Sequence, residues 1–140
     1  MTQAPGRKFL LVTGILYVIF GGIAIFTSAS GIASASFWDL VLPTASGMSW
    51  NLYYSFTLIA ALFQLLIGIM GIINRDKLEK ASLLRIFGFA DIGFVVVAAI
   101  MGMLIFSGAL GGATAFFSLG VGVVLPILYI IGAQKNLAAQ

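Results

Sequence analysis

Residues 81–106 read ASLLRIFGFADIGFVVVAAIMGMLIF, which is long and apolar enough to cross a bilayer as one helix. Near the middle of this run lies Asp91, and no basic residue is closer to it in the sequence than Arg85. A carboxylate at membrane depth is costly unless it is protonated, hydrogen-bonded or hydrated. Asp91 is therefore a candidate functional residue, and the rest of the chain is interpreted as apolar helices around it.

The composition of the chain predicts a membrane protein. Of the 140 residues, 61% are hydrophobic and only 8% are charged, whereas soluble domains carry about a quarter charged residues. So few charges cannot cover a water-facing surface, so membrane lipids are the expected surroundings. The chain contains no cysteine and no histidine, which excludes disulfides and His- or Cys-based metal sites. Since the few carboxylates are spread along the chain, we expect no metal site and no cofactor.

Four apolar segments predict an all-α fold, a four-helix transmembrane bundle that forms a single integral membrane domain over residues 1–140. Each segment reaches the ~20 residues that span ~30 Å of hydrocarbon. The predicted spans are 9–27, 52–73, 82–106 and 113–133, with a longer external loop at 28–50.

A second interpretation stays open for the first of these spans. Arg7 and Lys8, the apolar run that follows them and the small residues at 27–30 also resemble a cleavable secretory signal peptide. The apolar run is longer than the usual core of a signal peptide, which favours a retained span. Loss of the first ~30 residues from the mature chain would overturn the four-span prediction.

The basic residues predict the orientation of the bundle. They fall into three groups, namely Arg7 and Lys8, then Arg75, Lys77, Lys80 and Arg85, and finally Lys135. With four spans, both termini and the connection between the second and third spans lie on one side, and the other two connections contain no Lys or Arg. By the positive-inside rule we expect a multi-pass protein of the cell membrane with cytoplasmic termini. This topology accounts for the net charge of +3, so we expect no nucleic-acid partner.

The external loop is predicted to contain a short helix that lies in the membrane interface. Residues 36–39 read SFWD, in which a serine and an aspartate have the spacing of a capping box. We therefore expect a short helix near 36–42, with Trp38 and Trp50 as aromatic anchors at the membrane surface. A lid over an external vestibule and a partner-docking patch are alternative roles for this loop.

Small residues at helical spacing predict the buried face of every span, because membrane helices associate by close packing. On each span the conspicuous polar or irregular residue falls in the same stripe as these small residues. The predicted polar layer consists of Asp91, Tyr17, Gln64, Gly122, Pro126 and Tyr129. At 1.5 Å per residue, Tyr17, Gln64 and Asp91 each lie roughly 10–15 Å from the cytoplasmic ends of their spans.

Asp91 is expected at the centre of this layer. Tyr17, Gln64 and Tyr129 would act as hydrogen-bond donors to it. Because Pro126 has no backbone N–H, it leaves the Gly122 carbonyl free as a further acceptor at a similar depth. Such a layer either fixes the register of the helices or handles a proton or solute, and the sequence alone leaves both roles open.

Two classes of function follow from these residues. The sequence favours a non-catalytic interaction, accessory or structural subunit, present as a homo-oligomer or in a larger membrane complex. The alternative is a small homo-oligomeric transporter or channel in which Asp91 binds a proton, a cation or a small polar solute. Enzyme activity is not expected, because one intramembrane carboxylate without a base, nucleophile or metal provides too little catalytic machinery.

Overall fold

The computed structural model of the chain describes residues 4–42, 44, 46–106 and 108–140, and at 108–111, 114, 117 and 118 it describes the backbone alone. All the regular secondary structure of these residues is helical. The helices are α1 (Arg7–Val41), α2 (Trp50–Asn74), α3 (Ala81–Ile105), α4 (Gly108–Gly122) and α5 (Val124–Leu137), with a 3-10 turn at Leu78–Lys80. Four helical segments are long and apolar enough to cross a membrane, which confirms the prediction of an all-helical chain with four apolar spans.

The helices pack as a ring at one end of the molecule and diverge at the other. At the end that carries both termini, called the terminal end below, α1 packs on α2 and α5, and α3 packs on α2 and α5. At the opposite end, called the far end, α4 packs mainly on α3. In the terminal half, the fourth span therefore contacts the first span through α5. In the far half, α4 packs against α3.

The longest contact joins α1 and α2, which run antiparallel. Small residues recur every seven positions along α1, at Gly14, Gly21, Ser28 and Ala35. A repeat of seven corresponds to roughly 3.5 residues per turn, which keeps one stripe of a helix against a partner in a left-handed pair. At position 14 the two backbones nearly touch, because a Cβ atom on Gly14 would lie 2.9 Å from the Gly68 carbonyl oxygen. Reciprocally, a Cβ atom on Gly68 would lie 2.7 Å from the Gly14 carbonyl oxygen.

The structure differs from the sequence-based prediction in residues 28–41. A loop was expected at 28–50, but α1 continues without a break to Val41, so the short helix expected near 36–42 is the end of α1. The serines in this segment do not interrupt the helix, because their hydroxyls bond to its backbone. Ser30 donates to the Phe26 carbonyl at 2.9 Å, and Ser34 donates to the Ser30 carbonyl at 3.0 Å.

The expected capping box at residues 36–39 is likewise corrected, since these residues lie inside α1. Asp39 instead accepts a hydrogen bond from the backbone N–H of Trp50 at 2.9 Å. Trp50 is the first residue of α2, and the N-terminal amides of a helix have no partner within it. Asp39 thus caps the next helix rather than its own, and Ser49 caps the same helix by accepting from Leu52 N–H at 3.2 Å.

The fourth span is also divided, where one continuous helix over 113–133 was expected. The break lies at Val123, between α4 and α5. Pro126 causes it, because proline has no N–H to donate to the Gly122 carbonyl one turn earlier. The neighbouring bonds are intact: Val123 N–H donates to Leu119 O and Ile127 N–H donates to Val123 O, both at 3.1 Å.

The terminal end is held together by the buried side chain of Asn136. Its Oδ1 accepts from Gly6 N–H at 2.6 Å, and its Nδ2 donates to the Arg75 carbonyl at 3.0 Å. Asn136 has no exposed surface. One side chain on α5 therefore joins the start of α1 to the connection that follows α2, and an ion pair between Arg7 and Asp76 at 3.2 Å lies beside it.

The α1–α2 contact predicts a large difference between two glycines on the same helix. Replacing Gly14 with Ala (G14A) places a methyl group against backbone atoms that cannot move aside, so we expect the free energy of unfolding to fall by about 1–3 kcal/mol. In the matched control G22A the added Cβ meets nothing within 4 Å. The measurement is unfolding by titration with a denaturing detergent, followed by circular dichroism. Equal stability of G14A and G22A would contradict the close contact.

The role of Asn136 predicts a second loss of stability. In N136A the buried amide of Gly6 and the Arg75 carbonyl each lose a partner, which should lower the free energy of unfolding by about 1–3 kcal/mol. The control is Q134A, two residues away on the exposed surface of α5. The same titration compares the two variants, and a destabilisation of Q134A as large as that of N136A would refute this role.

Candidate functional site

Asp91 lies at the centre of the bundle with no exposed surface. The hydroxyl of Tyr17, from α1, donates to Asp91 Oδ2 at 2.6 Å. The amide nitrogen Nε2 of Gln64, from α2, donates to Asp91 Oδ1 at 3.3 Å. Each carboxylate oxygen thus has a donor from a different helix. The structure brings together the three residues that the sequence placed at the same depth.

Glycines one turn away allow these three side chains to meet. Gly14 precedes Tyr17 by three positions and Gly68 follows Gln64 by four, so both lie on the same faces as the polar residues. The backbone contact between these two glycines draws α1 and α2 together just beside the hydrogen bonds. On α3, Gly88 precedes Asp91 by three positions and so lies on the same face. Gly88 also leaves room for the side chain of Ile130 on α5.

Tyr129 is beside the polar layer but does not bond to Asp91. Its hydroxyl donates to the Ile67 carbonyl at 3.1 Å, and its ring meets the Tyr17 ring edge-on with centroids 5.6 Å apart. Gly71 makes this position possible, because a Cβ there would lie 2.6 Å from the Tyr129 ring. Tyr129 therefore supports Tyr17 and closes the layer on the terminal side.

Gly122 and Pro126 lie on the fourth span, beside the polar layer. Pro126 is fully buried. Gly122 lies close to Val95 of α3, since a Cβ on it would be 3.0 Å from Val95 Cγ1. No described residue donates a hydrogen bond to the Gly122 carbonyl, so its role as an acceptor in the polar layer stays a prediction.

The two tryptophans predicted as anchors lie in an aromatic cluster at the far end. Trp50 is only 4% exposed, and its indole N–H donates to the Leu42 carbonyl at 3.0 Å. Its ring packs on those of Tyr54 and Phe106, so Trp50 is a packing residue inside the protein and does not face lipid. Trp38 is half-buried beside it. An anchoring role at the membrane surface stays a prediction for Trp38.

The two halves of the bundle differ in how they are filled. On the terminal side of Asp91 the interior is filled by buried side chains, among them Leu10, Tyr17, Ile67, Leu84 and Tyr129. On the far side lies an open cavity of about 430 Å³, lined by residues of α1, α2, α3 and α4. We call it the far cavity. Gln64, which is bonded to Asp91, lines it at its deepest point on α2.

The walls of the far cavity combine apolar and hydroxyl groups. Most of its described lining is alanine, valine or aromatic, including Tyr53, Tyr54 and Phe94. The hydroxyl side chains Thr27, Ser28 and Thr57 also lie on it. The sequence analysis predicted neither the cavity nor a role for these three hydroxyls, although Thr57 precedes Gln64 by seven residues and so lies on the same face of α2.

No protein-family model, curated protein or solved structure matches this chain. The chemistry of the site therefore has to be derived from its own geometry. Among the described residues, no group of three His, Cys, Asp or Glu side chains comes together to hold a metal ion. The arrangement offers one carboxylate, two donors that hold it and an adjoining cavity, which suits the exchange of a proton or the binding of a cation.

The hydrogen bond between Tyr17 and Asp91 can be measured by a double-mutant cycle. The change in the free energy of unfolding of the double variant Y17F/D91A should differ from the sum of the two single changes by a coupling of about 0.6–1.7 kcal/mol, as for other interhelical bonds in membranes. The measurement is unfolding in denaturing detergent. The control pair is D91A with S30A, whose exposed hydroxyl is far from the site, and its coupling should stay within ~0.5 kcal/mol. A Tyr17–Asp91 coupling no larger than the control would contradict the bond.

Proposed function

We propose that the protein is a small transporter or channel that takes a proton, cation or small polar solute to a site between its membrane-spanning helices. One observation carries this proposal: the far cavity reaches Gln64, and the amide of Gln64 donates directly to the carboxylate of Asp91. A ligand in the cavity is therefore separated from the carboxylate by a single hydrogen-bonded side chain.

The energetics of Asp91 favour a functional role. Interhelical hydrogen bonds in membranes contribute about 0.6 kcal/mol on average, whereas a carboxylate at the centre of a span costs about 2.5–3.5 kcal/mol on insertion scales. Two such bonds do not offset that cost, and an apolar residue would give a more stable bundle. A carboxylate kept beside a cavity is more readily explained by what it binds than by what it stabilises.

We propose that the terminal end faces the cytoplasm of a cell and that the chain is a multi-pass protein of the cell membrane. The support is the placement of the basic residues: all seven lie near the terminal end of the described helices. Excess Lys and Arg is retained on the cytoplasmic side during insertion. With this orientation the far cavity faces outward, and the solid half of the bundle separates it from the cytoplasm.

A non-catalytic accessory or structural subunit is the second candidate. It is favoured by the fact that both oxygens of Asp91 accept hydrogen bonds within the chain, from Tyr17 and Gln64. In that case the polar layer only fixes helix register, and the apolar outer faces bind a second copy or a larger membrane complex. For the transporter we also propose a homo-oligomer, because the cavity of one chain extends through only one half of the bundle.

Reconstitution in lipid vesicles tests the proposal. With an imposed pH gradient and an internal pH-sensitive dye, the wild-type protein should carry protons or exchange them for a monovalent cation. D91N removes the titratable group but keeps the shape of the side chain and an acceptor for Tyr17. We expect D91N to lower the flux by about tenfold or more, since an amide side chain does not take up or release a proton near neutral pH.

The matched control is S30A, which removes an exposed hydroxyl from α1 and should leave the flux unchanged. Circular dichroism of both variants establishes that the helices are intact. If wild type and D91N carry protons and cations equally, or neither exceeds empty vesicles, the transporter proposal fails and the accessory role takes its place.

A further inference from the structure

We infer that the far cavity binds a protonated amine with an apolar body, an organic ammonium ion that donates N–H bonds to the cavity wall. The inference deepens the proposed function. It rests on that proposal in one respect, namely that the far cavity is the site of the solute. It concerns the class of ligand and follows from the polar atoms, the charge and the size of the cavity.

The serine and threonine hydroxyls of the cavity have already used their protons. Thr27 donates to the Ala24 carbonyl, Ser28 donates to Thr57 Oγ1, and Thr57 donates to the Tyr54 carbonyl, each at 3.0 Å. A hydroxyl has one proton to donate and two lone pairs to accept with. These three groups therefore offer only lone pairs to a ligand, and a ligand that supplies donors satisfies them.

Gln64 continues this row of acceptors at the deep end of the cavity. Its Nε2 donates to Asp91, which fixes which end of the amide faces the carboxylate, because a carboxylate only accepts. The amide oxygen and the second N–H of Nε2 therefore face away from Asp91, and no described residue donates to the oxygen. A ligand N–H placed beside Gln64 would find an acceptor there, with the Asp91 carboxylate behind it.

The charge distribution excludes anions and zwitterions. All seven basic residues lie within the described parts of the chain, and none of them lines the cavity. A ligand carboxylate or phosphate would thus be buried without a counter-charge, which is costly in a medium of low dielectric constant. Among the described residues, the ionisable acid nearest to the cavity is Asp91, which in its ionised form attracts a cation.

The walls fit the apolar part of such a cation. The rings of Tyr53, Tyr54 and Phe94 line the cavity, and aromatic faces bind ammonium groups and apolar bodies alike. The volume, about 430 Å³, lies within the range of about 300–1,000 Å³ that is typical of sites for small organic ligands. The preferred ligand is therefore a compact primary amine with an aliphatic or aromatic body, not a bare metal cation.

Four probes of nearly the same shape test the inference on the wild-type protein in lipid nanodiscs, with empty nanodiscs as the blank. They are benzylamine, which is cationic at neutral pH, the neutral benzyl alcohol, the anion benzoate, and benzyltrimethylammonium, which is cationic without an N–H donor. By isothermal titration calorimetry we expect benzylamine to bind about tenfold tighter than benzyl alcohol. Benzyltrimethylammonium should rank below benzylamine, and benzoate should bind no better than to the blank.

A variant then locates the probe. T57V is nearly isosteric and removes one acceptor of the row, so benzylamine should bind about threefold to tenfold more weakly, whereas benzyl alcohol should be less affected. The control S30A removes a hydroxyl outside the cavity and should bind benzylamine as the wild type does. Equal weakening by both variants would place the probe elsewhere and overturn the inference.

The ranking of the probes separates this inference from the proposed function. If benzyl alcohol or benzoate binds as tightly as benzylamine, or if none of the four probes binds, the assignment of an ammonium ligand is wrong. The transporter proposal would still stand in that case, provided that flux in vesicles depends on Asp91. If benzylamine binds as expected but D91N carries protons as the wild type does, the ligand class is right and the transport role is wrong.

Discussion

The constraint on which this structure depends is the need to surround one carboxylate with donors where no water is available. Asp91 meets it through Tyr17 and Gln64, which reach it from two other helices. They can do so only because α1 and α2 approach to backbone contact at Gly14 and Gly68. In lipid, close packing of this kind replaces the hydrophobic effect as the force that joins helices. The same glycines thus hold the bundle together and let its buried carboxyl group find hydrogen-bond partners.

The filling of the bundle follows from where its bulky residues lie. In the terminal half, Tyr17 and Tyr129 meet edge to edge in the interior, and both are fully buried. In the far half, alanines and short hydroxyl residues lie between the aromatic side chains of the cavity wall, and α4 lies beside α3 rather than over α1. A cavity results that ends at the polar layer. The site therefore lies at the boundary between the tightly packed terminal half and the far half, which holds the cavity.

Much of the polar layer could be predicted from the sequence, because two regularities define it. Helical spacing placed Tyr17, Gln64 and Asp91 on the small-residue faces, and the rise per residue placed them at one depth. The end of α1 was mispredicted because hydropathy treats serine as polar, whereas Ser30 and Ser34 bond to the helix backbone. The cavity could not be predicted, since its volume depends on how side chains of four helices fit together, which no local pattern encodes.

The break at Val123 has a mechanical consequence for the far cavity. Because Pro126 lacks the bond to Gly122, the helix is one hydrogen bond weaker where α4 meets α5, and the other end of α5 is fixed by Asn136. Val121 and Gly122 lie immediately before the break and also line the cavity. A tilt of α4 at this weaker point would change the width of the cavity, whereas Asp91, Tyr17 and Gln64 lie on the other three helices that line or adjoin it.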